Sequence, residues 1–388
     1  MTLPVPHLGE RELFPNLEAR AYLAHAAISP ASRAVQEAVA AVLDAYGRRG
    51  AGALLEWLPV RDRLRQRLAR LIGANPEDLA LVSNTTQGVL DIALCFPWNP
   101  GDRVLTFQGE FPANVTPWKQ AGVEVSFLPL PRVRNPEILS LLEAELQRKV
   151  RLVAVSAVQF QTGLAMPLRE IGAMCRRYGA ALFVDAIQAA GVVPLDVQAA
   201  GIDFLTCGSH KWLMGMEGAG FLYVSPQWVE RLRPRMAGWL SHEDPLGFLF
   251  PGGSSLDYER PIRKRADFLE PGTGNLLGHV ALEASVGLIE ELGVPAIHAH
   301  VTAYLDALEQ GMERRGFASL RSARRSGILS VQPPAGWSLG DLHRGLARRG
   351  VVCSTPDGFL RFAPHWPNHR DEVPFVLATV DEILRQGS

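Results

Sequence analysis

The sequence predicts an α/β protein built on a mainly parallel sheet, and three observations predict it. Short, continuous apolar runs recur between residues 79 and 224, the pattern of strands buried on both faces. Stretches of helical periodicity lie between most of them, giving the rhythm of strand-helix-strand crossovers. The composition, 388 residues with 47% hydrophobic and 20% charged, is that of an ordinary globular chain long enough for two or three domains.

The elements follow in order. Ser32 to Tyr46 carries apolar residues at helical spacing after the start signal Pro30, and Pro59 to Leu71 repeats an amphipathic helical pattern. Strands follow at Leu79 to Val82, Arg103 to Phe107, Glu124 to Leu128 and Leu152 to Val158, separated by helices at Thr86 to Cys95, Asn114 to Gln120 and Pro136 to Gln147. A helix over Leu168 to Tyr178 leads to strands at Ala181 to Asp185, Phe204 to Cys207 and Gly220 to Val224. Beyond Phe250 a Gly/Pro-rich stretch gives way to helices over Leu277 to Leu292 and Ala296 to Arg315, short strands near Ile328 and Phe359, and a closing helix over Glu372 to Arg385. This tail reads as a smaller α+β unit completed by the N-terminal segment.

Charge and cysteine usage narrow the function. A formal net charge of -1, from 39 basic and 40 acidic residues, creates no field that would gather nucleic acid or a membrane surface. The N-terminus lacks a basic segment followed by an apolar run, and no apolar stretch reaches about 18 residues, so a cytoplasmic protein without a membrane partner is expected. The 4 cysteines, Cys95, Cys175, Cys207 and Cys353, are scattered and read as reduced, mostly structural thiols; no metal-ligand spacing is present.

Lysine is scarce. Lys119, Lys149, Lys211 and Lys264 are the lysines, and arginine, which stays protonated near neutral pH, supplies the remaining basic side chains. Lys119 and Lys149 sit on helical surface patterns and Lys264 in an Arg-Lys-Arg cluster. Lys211 alone follows a buried strand within Gly-Ser-His-Lys-Trp, between apolar residues and glycines that disfavour the ammonium form.

Three further features carry chemistry. In Ser83-Asn-Thr-Thr-Gln-Gly a strand runs into a helix start, where free N–H groups with the Thr85 and Thr86 hydroxyls suit a phosphate or serve simply as a cap. Asp185 ends an apolar strand at the edge where α/β proteins bind ligands, and it needs a cationic partner, either a protonated ring nitrogen or a structural arginine. Arg361, between apolar residues, is suited to clamp a carboxylate or to pair with a protein Asp or Glu. Together with Lys211 these meet, in chain order, the requirements of pyridoxal 5'-phosphate catalysis on an amino acid. A nicotinamide dehydrogenase is disfavoured, since no Gly-x-Gly-x-x-Gly follows a first strand.

The chain resembles the class V aminotransferase family of pyridoxal-phosphate enzymes, which includes cysteine desulfurases, selenocysteine lyases and isopenicillin N epimerase-like proteins. The likeness runs from Tyr22-Leu-Ala-His25 through Glu110-Phe-Pro-Ala-Asn, Val184-Asp-Ala-Ile-Gln188, Ser209-His-Lys-Trp and Glu270-Pro-Gly-Thr-Gly-Asn275 to Leu360-Arg-Phe-Ala-Pro-His. It implies fold type I: a large cofactor-binding domain over 20–280, with a mainly parallel seven-stranded sheet, and a small α+β domain from 1–19 and 281–388. It implies that Lys211 forms the Schiff base and moves the substrate proton, that Asp185 pairs with the pyridine nitrogen, and that Gln188 bonds the phenolic oxygen. Phe111 falls at the ring-stacking position, where many relatives have a histidine. Thr85, Thr86, Ser209 and His210 would hold the phosphate, with Thr273 reaching it from the neighbouring subunit of a homodimer with shared active sites. Arg361 would bind the substrate carboxylate and His25 would lie at the substrate mouth.

The expected activity is transamination of a small amino acid. The alternatives are a C–S lyase or cysteine desulfurase-like activity, an epimerase, and, from another class, a non-catalytic cofactor-binding scaffold. Two departures weigh against a desulfurase with a covalent persulfide. Phe160 stands where desulfurases often have asparagine, which implies a more apolar pocket. Cys353, the one cysteine shortly before Arg361, lies in a strand-like apolar run and reads as structural.

Overall fold

A computed structural model describes residues 3–130, 137–249 and 256–386. Pro136, the expected start of one helix, and residues 251–255 of the Gly/Pro-rich stretch lie outside the described residues. Of that helix, Glu137–Leu146 is described.

After a two-residue strand β1 (Ala21–Tyr22), seven strands form the main sheet: β2 (Leu79–Val82), β3 (Arg103–Phe107), β4 (Glu124–Leu128), β5 (Leu152–Ser156), β6 (Ala181–Asp185), β7 (Phe204–Gly208) and β8 (Gly220–Val224). Their order is β2-β8-β7-β6-β5-β3-β4. All pairs are parallel except those of β8, which runs antiparallel to both neighbours. Side chains alternate across each strand, and the sheet accordingly separates two apolar layers. Val153, Val155, Leu182, Val184 and Leu205 enter one core. Leu152, Ala154, Ala181, Phe183 and Phe204 enter the other. Burial on both sides explains why these strands read as unbroken apolar runs.

The carboxyl ends of β5, β6 and β7 carry Ser156, Asp185 and Gly208 to one edge of the sheet. Helix Thr85–Cys95 starts beside them, and Gly88 allows the approach: a Cβ there would meet Thr206 Oγ1 at 2.2 Å and Thr206 Cβ at 2.8 Å. Gly88→Ala is expected to cost about 1–3 kcal/mol through overpacking. It should also lower cofactor affinity because the helix start must move; denaturant unfolding and cofactor titration check the two effects separately.

The C-terminal elements form an antiparallel sheet of β9 (Ala318–Ser319), β10 (Leu329–Gln332) and, after β11 (Val351–Val352), β12 (Leu360–Phe362), in the order β12-β10-β9. β1 pairs in parallel with β11, and Ala24 bridges to Ala363, so residues 21–24 join the C-terminal elements and not the main sheet. Helix Leu276–Leu292 runs unbroken through the expected domain boundary at 280/281. A helix that the sequence reading missed, Leu339–Arg348, is capped by Ser338 and buries Leu342 and Leu346. Its glycines masked the periodicity; at Gly345 an added Cβ would lie 2.9 Å from Ile383 of the closing helix Glu372–Gln386, so the small residue is what allows the two helices to pack. Among the described residues no helix is long and apolar enough to cross a membrane.

Candidate active site

Asp185 is 2% exposed and accepts a hydrogen bond from the Ile187 N–H at 2.9 Å. Burial pushes its carboxyl up to about 7, opposed by that hydrogen bond, reinforced by the charge of Glu110 and countered by Lys211. Among the described residues no arginine forms an ion pair with it. The structural-arginine alternative is therefore not realised, and Asp185 is a buried carboxylate suited to an incoming cation.

Lys211 lies in the loop between β7 and β8, and backbone bonds fix that loop from several sides. Ser209 N–H donates to Ala219 O at 3.0 Å, Gly215 N–H to Ser209 O at 3.0 Å and Met214 N–H to Lys211 O at 3.0 Å. Ser29 adds two more, its N–H donating to His210 O at 2.8 Å and its hydroxyl to Lys211 O at 2.6 Å. Because that hydroxyl proton is committed, His25 Nδ1, 2.7 Å from Ser29 Oγ, is the protonated ring nitrogen of a neutral imidazole. His365 braces the next peptide: its Nε2–H donates to Trp212 O at 2.8 Å while Nδ1 accepts from Trp366 N–H. Burial lowers the Lys211 pKa; Asp185 pulls it back up and Arg361 pushes it further down. A depressed amine pKa is what carbonyl chemistry near neutral pH requires.

Arg361 is 5% exposed, and burial brings its pKa down to about 10. Its Nε donates to Ser354 Oγ at 3.0 Å and Nη1 to Phe160 O at 2.7 Å. Among the described residues no Asp or Glu pairs with it, so the structural salt bridge left open by the sequence is absent. A buried guanidinium held by neutral acceptors is suited to receive an external carboxylate.

These three groups line one cavity of about 230 Å3, together with Gln188, Phe111 and Phe160. Lys211 Nζ lies 5.9 Å from the centroid of the Phe111 ring, which meets Phe160 edge-on at 5.3 Å. Gln188 already accepts from Trp212 Nε1 at 2.8 Å and donates to Ala26 O at 3.0 Å, which leaves one amide N–H for a phenolic oxygen.

The remaining expected residues stand outside that lining. Thr85 opens the helix, its hydroxyl accepting from Gly208 N–H at 2.9 Å, and Thr86 is exposed. His210 is half-buried, and burial lowers its pKa, with Lys211 adding to the shift. Ser209 is fully buried and its hydroxyl donates to the Met216 carbonyl, so it serves the loop itself and presents no free hydroxyl. Thr273 is exposed and borders a separate cavity of about 450 Å3 with Ser83 and Gln87. His25 corrects an expectation: it is 1% exposed and packed edge-on against Tyr22 and His365, whereas Ala26 and Ala27 line the cavity.

Sequence reasoning missed Glu110, which lies behind Asp185. Its carboxylate accepts from Ser156 N–H at 2.8 Å, Ser156 Oγ at 2.5 Å, Gln159 Nε2 at 2.8 Å and Asn114 Nδ2 at 3.3 Å. The only available signal was an acidic residue within an otherwise apolar and turn-forming motif.

The residues present fit pyridoxal phosphate. An unpaired buried carboxylate, an amine of lowered pKa and an aromatic ring share one cavity, and a helix start with free N–H groups stands beside it. The Asp185 shift gives a prediction. In the cofactor-free protein its native pKa, about 7, exceeds the ordinary 3.8, so the native state binds the extra proton between those values and stability falls as pH rises through them. Cofactor-free Asp185→Asn should therefore melt higher than the wild type at pH 8, with the gap closing toward pH 4. The same variant should bind the cofactor more weakly. Scanning calorimetry and cofactor titration measure both.

The Aminotransferase class-V family matches residues 21–358. An uncharacterized aminotransferase of Bacillus subtilis, YcbU, is 27% identical, over 97% of this chain and 98% of its own. Isopenicillin N epimerase of Streptomyces clavuligerus is 27% identical over 82% of this chain and 83% of its own. The cysteine desulfurase CsdA of Escherichia coli is 28% identical over 82% of each. Among solved structures, the C-DES protein with glycine covalently linked to its PLP cofactor superposes with a TM-score of 0.87 at 22% identity, covering 96% of this chain and 98% of that one. A match over most of the chain establishes that the chain belongs to the class V aminotransferase family of pyridoxal-phosphate enzymes.

Proposed function

We propose that this enzyme labilises a Cα bond of a small amino acid and that transamination is its outcome. The observation that carries the reading is the cavity shared by Lys211, Asp185 and Arg361, with the arginine free of any protein carboxylate among the described residues. When bound, pyridoxal phosphate supplies an aldehyde for the substrate amine and a ring that accepts electrons from Cα. Asp185 holds the ring nitrogen protonated by offering it a buried counter-charge. Arg361 orients the substrate through its α-carboxylate. Lys211 takes and returns the proton at its Nζ, which its lowered pKa favours.

The proton inventory supports transamination over the alternatives. Phe111 supplies no acid or base, the Ser156 hydroxyl is committed to Glu110 and the Asp185 carboxyl is assigned to the ring nitrogen, so among the described residues of the cavity wall Lys211 is the proton carrier left for Cα. Moving a proton along one face needs one such group, whereas epimerisation through two bases needs a second. A persulfide-forming desulfurase needs an exposed, stabilised thiolate. All four cysteines are buried, and burial raises every thiol pKa, to about 12 at Cys175 and Cys353. A C–S lyase that releases sulfur to an external acceptor is the second reading, favoured by the names of the desulfurase relatives.

The chain is proposed to act as a homodimer in which Thr273 reaches the partner's phosphate, because in the single chain Thr273 is exposed and lies away from the Lys211 cavity. Of residues 20–280, the part beyond the 21–24 segment that pairs with the C-terminal elements is read as the cofactor-binding unit, ending within helix Leu276–Leu292. The deciding experiment follows the absorbance of the cofactor-loaded protein as amino acids are added. Conversion to a stable pyridoxamine spectrum, reversed by a 2-oxo acid, is the expected result; consumption of cysteine with release of sulfide and an unchanged cofactor spectrum would assign the lyase.

A further inference from the structure

We propose that the substrates are α-amino acids with small, uncharged, apolar side chains, and that Phe160 sets this specificity. The inference rests on the reading above and goes further by naming the substrate class. Every ionisable group that this chain places on the cavity wall has an assignment: Asp185 to the ring nitrogen, Lys211 to the aldehyde and the proton, Arg361 to the α-carboxylate. The polar neutral groups are also engaged, the Ser156 hydroxyl by Glu110 and the Gln188 amide by Trp212 and Ala26, with its remaining N–H assigned to the phenolic oxygen. What is left for a substrate side chain is Ala26, Ala27, Val158, Phe160, Ile187 and Pro356. A charged side chain entering this space would lose water and gain no counter-ion.

Phe160 is placed to enforce the choice. Its carbonyl accepts from Arg361 Nη1 at 2.7 Å and it lines the same cavity, so a substrate held by its carboxylate at that guanidinium sits beside Phe160. The turn carrying Phe160 is pinned on both sides. The Gln159 side chain donates to buried Glu110 at 2.8 Å, and Gln161 O accepts from Ser330 Oγ at 2.5 Å. Val158 bridges to Ala165, and Gly163 N–H donates to Gln159 O at 2.8 Å. With the Phe111 ring meeting it edge-on at 84°, the Phe160 ring adds an apolar surface to the cavity on a turn whose backbone is held.

The test uses the cofactor-loaded enzyme with L-alanine, L-2-aminobutyrate, L-valine, L-aspartate, L-glutamine and L-lysine. Dissociation constants come from the cofactor absorbance and kcat/KM from turnover with a 2-oxo acid. The small aliphatic substrates are expected to exceed aspartate and lysine by about 100-fold or more in kcat/KM. Phe160→Asn should shrink the ratio of 2-aminobutyrate to glutamine by about tenfold, through both constants, while Phe160→Leu keeps it. Charged substrates used within tenfold of alanine, or a ratio untouched by Phe160→Asn, would overturn the proposal. If instead no amino acid alters the absorbance and Lys211→Ala matches the wild type, the underlying amino-acid reading fails, an outcome distinct from a shift in preference.

Discussion

Lys211→Ala is expected to lose at least about a thousandfold in turnover while the protein stays folded. The magnitude follows from two roles on one amine. General acid-base transfer alone contributes about 10²–10⁴-fold, and on the proposed reading the same nitrogen would be the covalent partner for the cofactor aldehyde. The fold should tolerate the change, because the bonds that hold the loop run through backbone atoms: Ser29 to the carbonyls of His210 and Lys211, Met214 N–H to Lys211 O, Gly215 N–H to Ser209 O. Removing the ammonium also removes a desolvated charge that burial already disfavours. The measurement pairs steady-state turnover with the absorbance spectrum and thermal melting. A small primary amine added to the variant should restore part of the proton transfer, which a merely structural lysine would not allow. Turnover within tenfold of the wild type would rule out the assignment.

The same loop shows which parts of the site could be read from sequence. Lys211 and Asp185 were legible because each breaks a local rule: a lone lysine beside apolar strands and glycines, and a carboxylate at the end of an apolar run. Local rules also located the seven strands of the main sheet, since burial on both faces writes itself as an unbroken apolar string. They failed where long-range packing decides. The strand expected over Leu152 to Val158 stops at Ser156, because Val158 leaves the sheet to bridge Ala165. β1 and β11 have two residues each, too few for a period to register.

Side-chain direction was the harder question. His25 looked like a residue of the substrate mouth, but its ring is turned inward onto Ser29 by the pairing of Ala24 with Ala363 and of Ala21 and Tyr22 with β11. Ser209 sits beside two expected site residues in sequence, yet its hydroxyl is consumed by Met216 seven residues on. Glu110 is separated from Ser156 by 46 residues, so its contribution to the charge around Asp185 becomes visible only when β5 and β6 are paired. Arg361 is the instructive middle case. Its sequence surroundings allowed two explanations, and the absence of a carboxylate partner among the described residues favours one.

That absence makes Arg361 the second large effect. Replacing it with leucine should raise KM and lower kcat/KM by about 10²–10³-fold. A charge-assisted hydrogen bond contributes about 1.5–3 kcal/mol, and a carboxylate gripped by a guanidinium gains more than one. The loss should appear mostly in KM, because the carboxylate is held in the ground state and in the transition state alike. Arg361→Lys should recover little of it. Lysine keeps the charge but cannot reach Ser354 Oγ, Phe160 O and a substrate oxygen with one planar fork, so either the Phe160 turn or the substrate goes unheld. A primary amine without a carboxylate provides the control: its poor kcat/KM with the wild type should change less than about threefold in Arg361→Leu, since the group that Arg361 serves is missing from it. If the variant slows amino acid and amine equally, Arg361 supports the fold of the cavity and does not bind the carboxylate. If only the amino acid suffers, the guanidinium that this chain buries without a carboxylate partner among the described residues has the substrate as its counter-ion.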